Sequence, residues 1–117
     1  MKKQGVVNPR ELALKILFEI ETGKRFADES VNRYSEEFAL SSLDRRFLSE
    51  LVNGTTKLRR RMDYLLESVL SRKAEELTPW IRNILRMGVY QIDHLTRVPN
   101  PAAVNESVKL AQKYGHR

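Results

Sequence analysis

Arg59, Arg60 and Arg61 stand side by side in the stretch LRRRMDYLL, between leucines at core-like spacing. A guanidinium is always charged and offers a planar fork of donors that suits phosphate, so polyanion binding is the first chemistry to test. On a helical wheel Arg60 faces away from the apolar half, while Arg59 and Arg61 lie at its two margins, so the three cannot close on one phosphate. The plainer reading is a solvated fan whose outer members lay their stems along the core edge, with Asp63 placed to pair with Arg59 or Arg60. Lys57, Arg72 and Lys73 extend this candidate RNA-binding surface against only two acids, Asp63 and Glu67. Arg72 and Lys73 also suit a helix C-terminus on dipole grounds alone. Lys2, Lys3 and Arg10, around the start of the first helix, are further candidates for phosphate contacts, or else a solubilising basic start. Arg82, Arg86 and Tyr90 recur at i, i+4, i+8 and are expected on one exposed face that meets RNA or a second domain.

Covalent and metal chemistry find less support. Cysteine is absent, which removes disulfides, thiolate sites and cysteine nucleophiles. The two histidines, His94 late in a helix and His116 next to the last residue, have no base or nucleophile at a useful spacing. No His pair lies at i, i+4, the adjacent Glu36 and Glu37 point in different directions on a helix, and the five glycines are too dispersed for a phosphate loop. The chain is expected to be neither an enzyme in itself nor a metal protein. Trp80, at a helix start, is expected to pack rather than to stack on a base.

With 117 residues, 41% of them apolar, the chain has material for one domain with a single modest core. Lys plus Arg exceed Asp plus Glu by 21 to 15, and the pI is near 9.8, which favours nucleic acid or another anionic partner. The excess is uneven. Glu19 to Glu37 holds six acids against three bases, whereas Lys57 to Lys73 holds six bases against two acids. With neither a signal-peptide core nor a run of membrane-spanning length, the chain reads as soluble and cytoplasmic.

The elements that must position these residues are helices. Asn8 and Pro9 start the first, with Glu11 placed for a capping box and Gly23 as its stop, and its wide apolar circumference predicts a central place. A shorter helix is expected from about Asp28 to Phe38. From Asp44 to Leu70 the apolar positions stay in phase, which predicts one long third helix, bent at most near Asn53 to Thr56, with Gly54 in its apolar half where another helix can approach closely. Thr78 and Pro79 open a helix with a stripe from Ile81 to Leu95, and Asn100 and Pro101 open a last one carrying Val104, Val108, Ala111 and Tyr114. No segment alternates with period two, so the fold class is all-α, about five helices around the long third.

The segments LDRRFLSELVNGTTKLRRRMDYLL and LTPWIRNILRMGVYQIDHLTRVPNPAAVNESVKLAQKYG resemble the NusB-like domain at the N-terminus of bacterial RsmB-type ribosomal RNA cytosine-C5 methyltransferases. The similarity runs from Arg10 over nearly the whole chain. It implies a NusB-like helical bundle, residues 1–117 forming an RNA-binding domain that positions RNA beside a catalytic domain. In that family the catalytic domain holds S-adenosylmethionine and uses cysteines, neither of which belongs to this chain. A further helix, rich in small and apolar residues, follows in the family after the Gly115 region. On that pattern the chain is the N-terminal part of a larger protein, and some apolar surface on its earlier helices is left exposed.

The function expected is thus a noncatalytic domain that engages small-subunit ribosomal RNA, with its own methyltransferase domain as partner in cis. Two alternatives stand beside it. The free-standing antitermination factor NusB, which binds boxA RNA together with NusE, shares the fold and a related P..AVNE stretch. A helical protein-interaction module would instead use its exposed faces to dock a partner, without RNA.

Overall fold

The structure is a computed structural model that describes residues 8–23 and 25–115. Its six helices are α1 (Pro9–Gly23), α2 (Ala27–Glu37), α3 (Ser42–Lys57), α4 (Arg59–Val69), α5 (Pro79–His94) and α6 (Asn100–Tyr114), with a 3-10 turn at Ala74–Glu76 before α5. The all-helical class holds, with six helices in place of about five.

Asn8 caps α1, its Oδ1 accepting the Arg10 N–H at 2.9 Å. Glu11 does not complete a capping box. Its carboxylate instead accepts from Lys113 Nζ at 2.6 Å and the Tyr114 hydroxyl at 2.5 Å, which ties the start of α1 to the end of α6. Leu12, Ala13, Leu14, Ile16 and Leu17 are all buried, because α2, α3 and α5 pack around this helix on several sides.

The uninterrupted third helix is not found. Leu58, at φ −105° and ψ 25°, separates α3 from α4, although its N–H still reaches the Gly54 carbonyl at 3.0 Å and its carbonyl accepts from Met62 at 2.9 Å. Two β-branched residues, Thr55 and Thr56, weaken the last turn of α3, and the break falls just after them and not at Gly54. Beyond it α4 packs on α5, whereas α3 packs on α1 and α2. The turn moves the apolar phase: Leu48, Leu51, Val52, Met62 and Leu66 are buried, but Leu43 and Val69 are 72% and 79% exposed. The centre belongs to α1 and α5.

At α5, Thr78 Oγ1 accepts the Ile81 N–H and Pro79 occupies the first turn, a start that contributes about 1 kcal/mol. Trp80 packs between Phe18, ring centroids 3.9 Å apart, and Tyr114, 4.7 Å apart, as a joint between α1, α5 and α6. The α6 stripe is only half used. Ala103, Leu110 and Tyr114 are buried, while Val104, Val108 and Ile92 of α5 stay about half exposed along an apolar groove between the two helices. This is the exposed apolar surface that the resemblance implied.

Candidate nucleic-acid interface

The structure divides the cations of residues 57–73 between different surfaces. Arg59, Arg60 and Lys73 line a hollow together with Arg82 and Arg86, but Glu21, Asp63, Glu67 and Glu75 line it too, so five cations face four carboxylates. Arg61 points elsewhere, its Nε donating to Asp93 Oδ2 of α5 at 3.0 Å, and that bond raises its pKa. Lys57 lies in another hollow on α3. Arg72 is exposed in the turn after α4. Arg59, Arg60 and Arg72 make no ion pair with any described residue, in keeping with a fan rather than a claw.

Arg82, Arg86 and Tyr90 do not form an exposed face. Arg86 is 8% exposed and grips Asp63 with both prongs, Nε to Oδ1 at 2.6 Å and Nη2 to Oδ2 at 2.8 Å, while its Nη1 reaches Glu21 at 3.2 Å. Asp63 therefore pairs with Arg86 and not with Arg59 or Arg60. Arg82 also binds Glu21 and donates to the Ala74 and Leu77 carbonyls. Burial alone pushes the Glu21 carboxyl up, but the Arg82 bond, with help from Asn83 and Arg86, outweighs it and holds the group below its ordinary value. These charges are consumed in locking α1, α4 and α5 together. The Tyr90 ring is buried over Gly54, which confirms the close approach expected there.

Arg10 is also committed. Its Nε donates to Gln91 Oε1 at 2.7 Å, its guanidinium lies over the Phe47 ring, and burial lowers its pKa despite the charge of Glu106. Lys2, Lys3 and His116 lie outside the described residues. His94 is exposed beside Asp93 and stacks on Tyr90. Among the described residues no group of three or more His, Asp or Glu is placed to hold a metal ion, and no helix is long and apolar enough to cross a membrane.

A cationic surface on α3 escaped the sequence reading. Arg45, Arg46 and Lys57 line an open hollow of about 620 Å³ whose single carboxylate, Glu50, is held by Arg97. Its signal was available: Arg45, Ser49, Asn53 and Lys57 follow one another at i, i+4, i+8, i+12, a polar stripe opposite the buried Leu48, Leu51 and Val52. The consecutive arginines of α4 drew attention away from it.

Comparison with known proteins adds three results. The model of the NusB family matches residues 7–117. A probable ribosomal RNA small subunit methyltransferase B of Synechocystis sp. is 36% identical over 94% of this chain, and one of Bacillus subtilis is 32% identical over all of it. The chain spans a quarter of the length of each. A transcription antitermination protein NusB of Ruminiclostridium cellulolyticum is 32% identical over 92% of the chain, and there the match spans 74% of the relative.

Proposed function

The chain belongs to the NusB family, and from that premise we propose that it is a noncatalytic RNA-binding domain that positions small-subunit ribosomal RNA for a cytosine-C5 methyltransferase domain acting in cis. The observation that carries the RNA part is the set of exposed cations without a carboxylate partner among the described residues: Arg46, Lys57, Arg59, Arg60 and Arg72. Lys73 borders the same surface, with Arg61, shared with Asp93, at its margin. Similarity to the two methyltransferases supports the finer part. In this reading S-adenosylmethionine belongs to the catalytic domain, and the residues described here have no part in holding it.

The test is the salt dependence of binding to single-stranded fragments of small-subunit ribosomal RNA, followed by fluorescence anisotropy. Each phosphate contact contributes about 0.7 to the slope of log affinity against log salt. Charge reversal at Lys57, Arg59, Arg60 and Arg72 should weaken binding and flatten that slope. An unchanged slope would remove this surface from the proposal.

The antitermination reading is the second, favoured by the larger share of the Ruminiclostridium NusB that the chain matches. An immunoblot of the source cell separates the two. A band several times larger than 13.6 kDa supports the methyltransferase, and a band near that mass supports the antitermination factor, to be tested next with boxA RNA and NusE.

A further inference from the structure

The hollow on α3 is built differently from the rest of the basic surface. Gly54 and the Tyr90 ring make its floor, Arg46 and Lys57 stand at its two ends, and Asn53 lines it between them. Its volume, about 620 Å³, lies within the range of small-molecule sites. Arg46 and Lys57 are eleven residues apart on one helix, about 16 Å along its axis. Neither has an ion-pair partner among the described residues.

Two polar groups in the hollow have a fixed sense. Asn53 Nδ2 donates to the Ser49 carbonyl at 3.0 Å and to Ser49 Oγ at 3.1 Å. A backbone carbonyl can only accept, so the amide orientation is determined and Oδ1 remains as a free acceptor. The Tyr90 hydroxyl has no hydrogen-bond partner among the described residues, and the ring cannot turn away because one side lies on Gly54 and His94 stacks on it at 5.3 Å. A preset acceptor and a preset hydroxyl between two free cations suit a ligand with anionic groups at its ends and a donor-bearing edge between them.

We propose that this hollow is a nucleotide subsite for single-stranded RNA. Arg46 and Lys57 take the phosphates flanking one nucleotide, and Asn53 Oδ1 with the Tyr90 hydroxyl takes the edge of a base that carries an exocyclic amino group, adenine or cytosine. Arg45, tethered to Asn32 by one nitrogen, covers the base with its guanidinium plane. An acidic peptide would satisfy the two cations but would leave the Asn53 acceptor facing another acceptor. The subsite rests on the reading of the chain as an RNA-binding domain.

The experiment uses the full chain with seven-nucleotide oligomers of A, C or U, read by fluorescence anisotropy over a salt series, with polyglutamate as competitor. The wild type should favour A or C over U. Asn53→Ala and Tyr90→Phe should each reduce that preference about fivefold without changing the salt slope. Arg46→Gln with Lys57→Gln should lower the slope by about 1.4, two phosphate contacts. A circular dichroism melt checks that each variant is folded, and Asn53→Ala, on the solvent side of α3, serves if Tyr90→Phe does not fold. No base preference in the wild type, or a preference untouched by these variants, overturns the subsite while leaving general RNA binding intact. Displacement by polyglutamate as effective as by RNA overturns it in favour of an acidic protein partner. Failure of the wild type to bind any oligomer overturns the proposed function itself.

Discussion

Gly54 of α3 and Tyr90 of α5 occupy each other's space: a Cβ built on Gly54 would overlap the Tyr90 ring at Cζ and at the hydroxyl. Gly54→Ala should therefore destabilise the fold although alanine is the better helix former. Overpacking costs typically about 1–3 kcal/mol and helix propensity returns roughly 1, for a net loss of about 1–2 kcal/mol. In a Tyr90→Ala background the collision is gone, and Gly54→Ala should then stabilise by up to about 1 kcal/mol. Urea denaturation of the four proteins in this cycle measures both signs. The same loss in both backgrounds would mean that the ring is not what excludes a side chain here.

Arg86→Met should be among the most damaging single changes on α5. It removes three hydrogen bonds at once and leaves Asp63 and Glu21 facing each other without their shared counter-ion. Losing one side of a buried pair costs about 3–5 kcal/mol, and the lower end applies because both carboxylates keep about a quarter of their surface in solvent. Chemical denaturation gives the loss. A change below about 1 kcal/mol would show the network to be replaceable by apolar packing.

Much of this was readable from sequence because a helix writes its burial into a period. The caps at Asn8 and Thr78, the breadth of the α1 stripe and the packing role of Trp80 follow from local chemistry. The break at Leu58 does not, because the apolar phase on either side stays close enough to continue a single wheel, and only the packing of α4 on α5 shows that the axis has turned. Arg82 and Arg86 misled for a related reason: their spacing defines a face, yet Glu21, more than sixty residues away in sequence, turns that face inward as an ion-pair network. Long-range charge pairing leaves no periodic trace. The α3 hollow was hidden similarly, since half of its floor is Tyr90.

Acid should loosen the joints made by Glu11 and Glu21. Burial raises the Glu11 carboxyl, but hydrogen bonds from Lys113 and Tyr114 outweigh it, so the folded-state value lies below the ordinary 4.5, as it does for Glu21. As pH falls, the unfolded chain takes up these protons first. The stability from these contacts is complete above about pH 5 and is lost as pH falls through 4.5 toward the folded-state values. The denaturation midpoint measured from pH 6 to pH 3 should fall less steeply in Glu11→Gln with Glu21→Gln than in the wild type. Identical slopes would mean that other carboxylates carry the acid limb. At the alkaline end, burial and the bond to Glu19 push Tyr34 up to about 12, so its contribution is present below pH 10 and fades toward pH 12, and Tyr34→Phe should lack that loss.

Ala39 offers a stabilising change. It follows α2 with φ 51°, the one positive φ at a non-glycine among the described residues. The surrounding bonds explain why the backbone accepts it: the Leu40 N–H reaches the Ser35 carbonyl at 3.0 Å and the Ala39 N–H reaches the Glu36 carbonyl at 3.2 Å, the pair that closes a helix through a left-handed residue. For an L-residue that conformation costs roughly 1–2 kcal/mol, whereas glycine adopts it freely but loses more entropy on folding. Ala39→Gly should thus raise stability by about 0.5–1 kcal/mol, visible as a higher urea midpoint at unchanged m-value. Ala39→Val, whose branched Cβ is worse suited to the left-handed region, should lower it. A loss in both variants would show that the methyl group's packing outweighs its backbone strain, and the close of α2 would then be held by side-chain contacts rather than by the two carbonyl bonds.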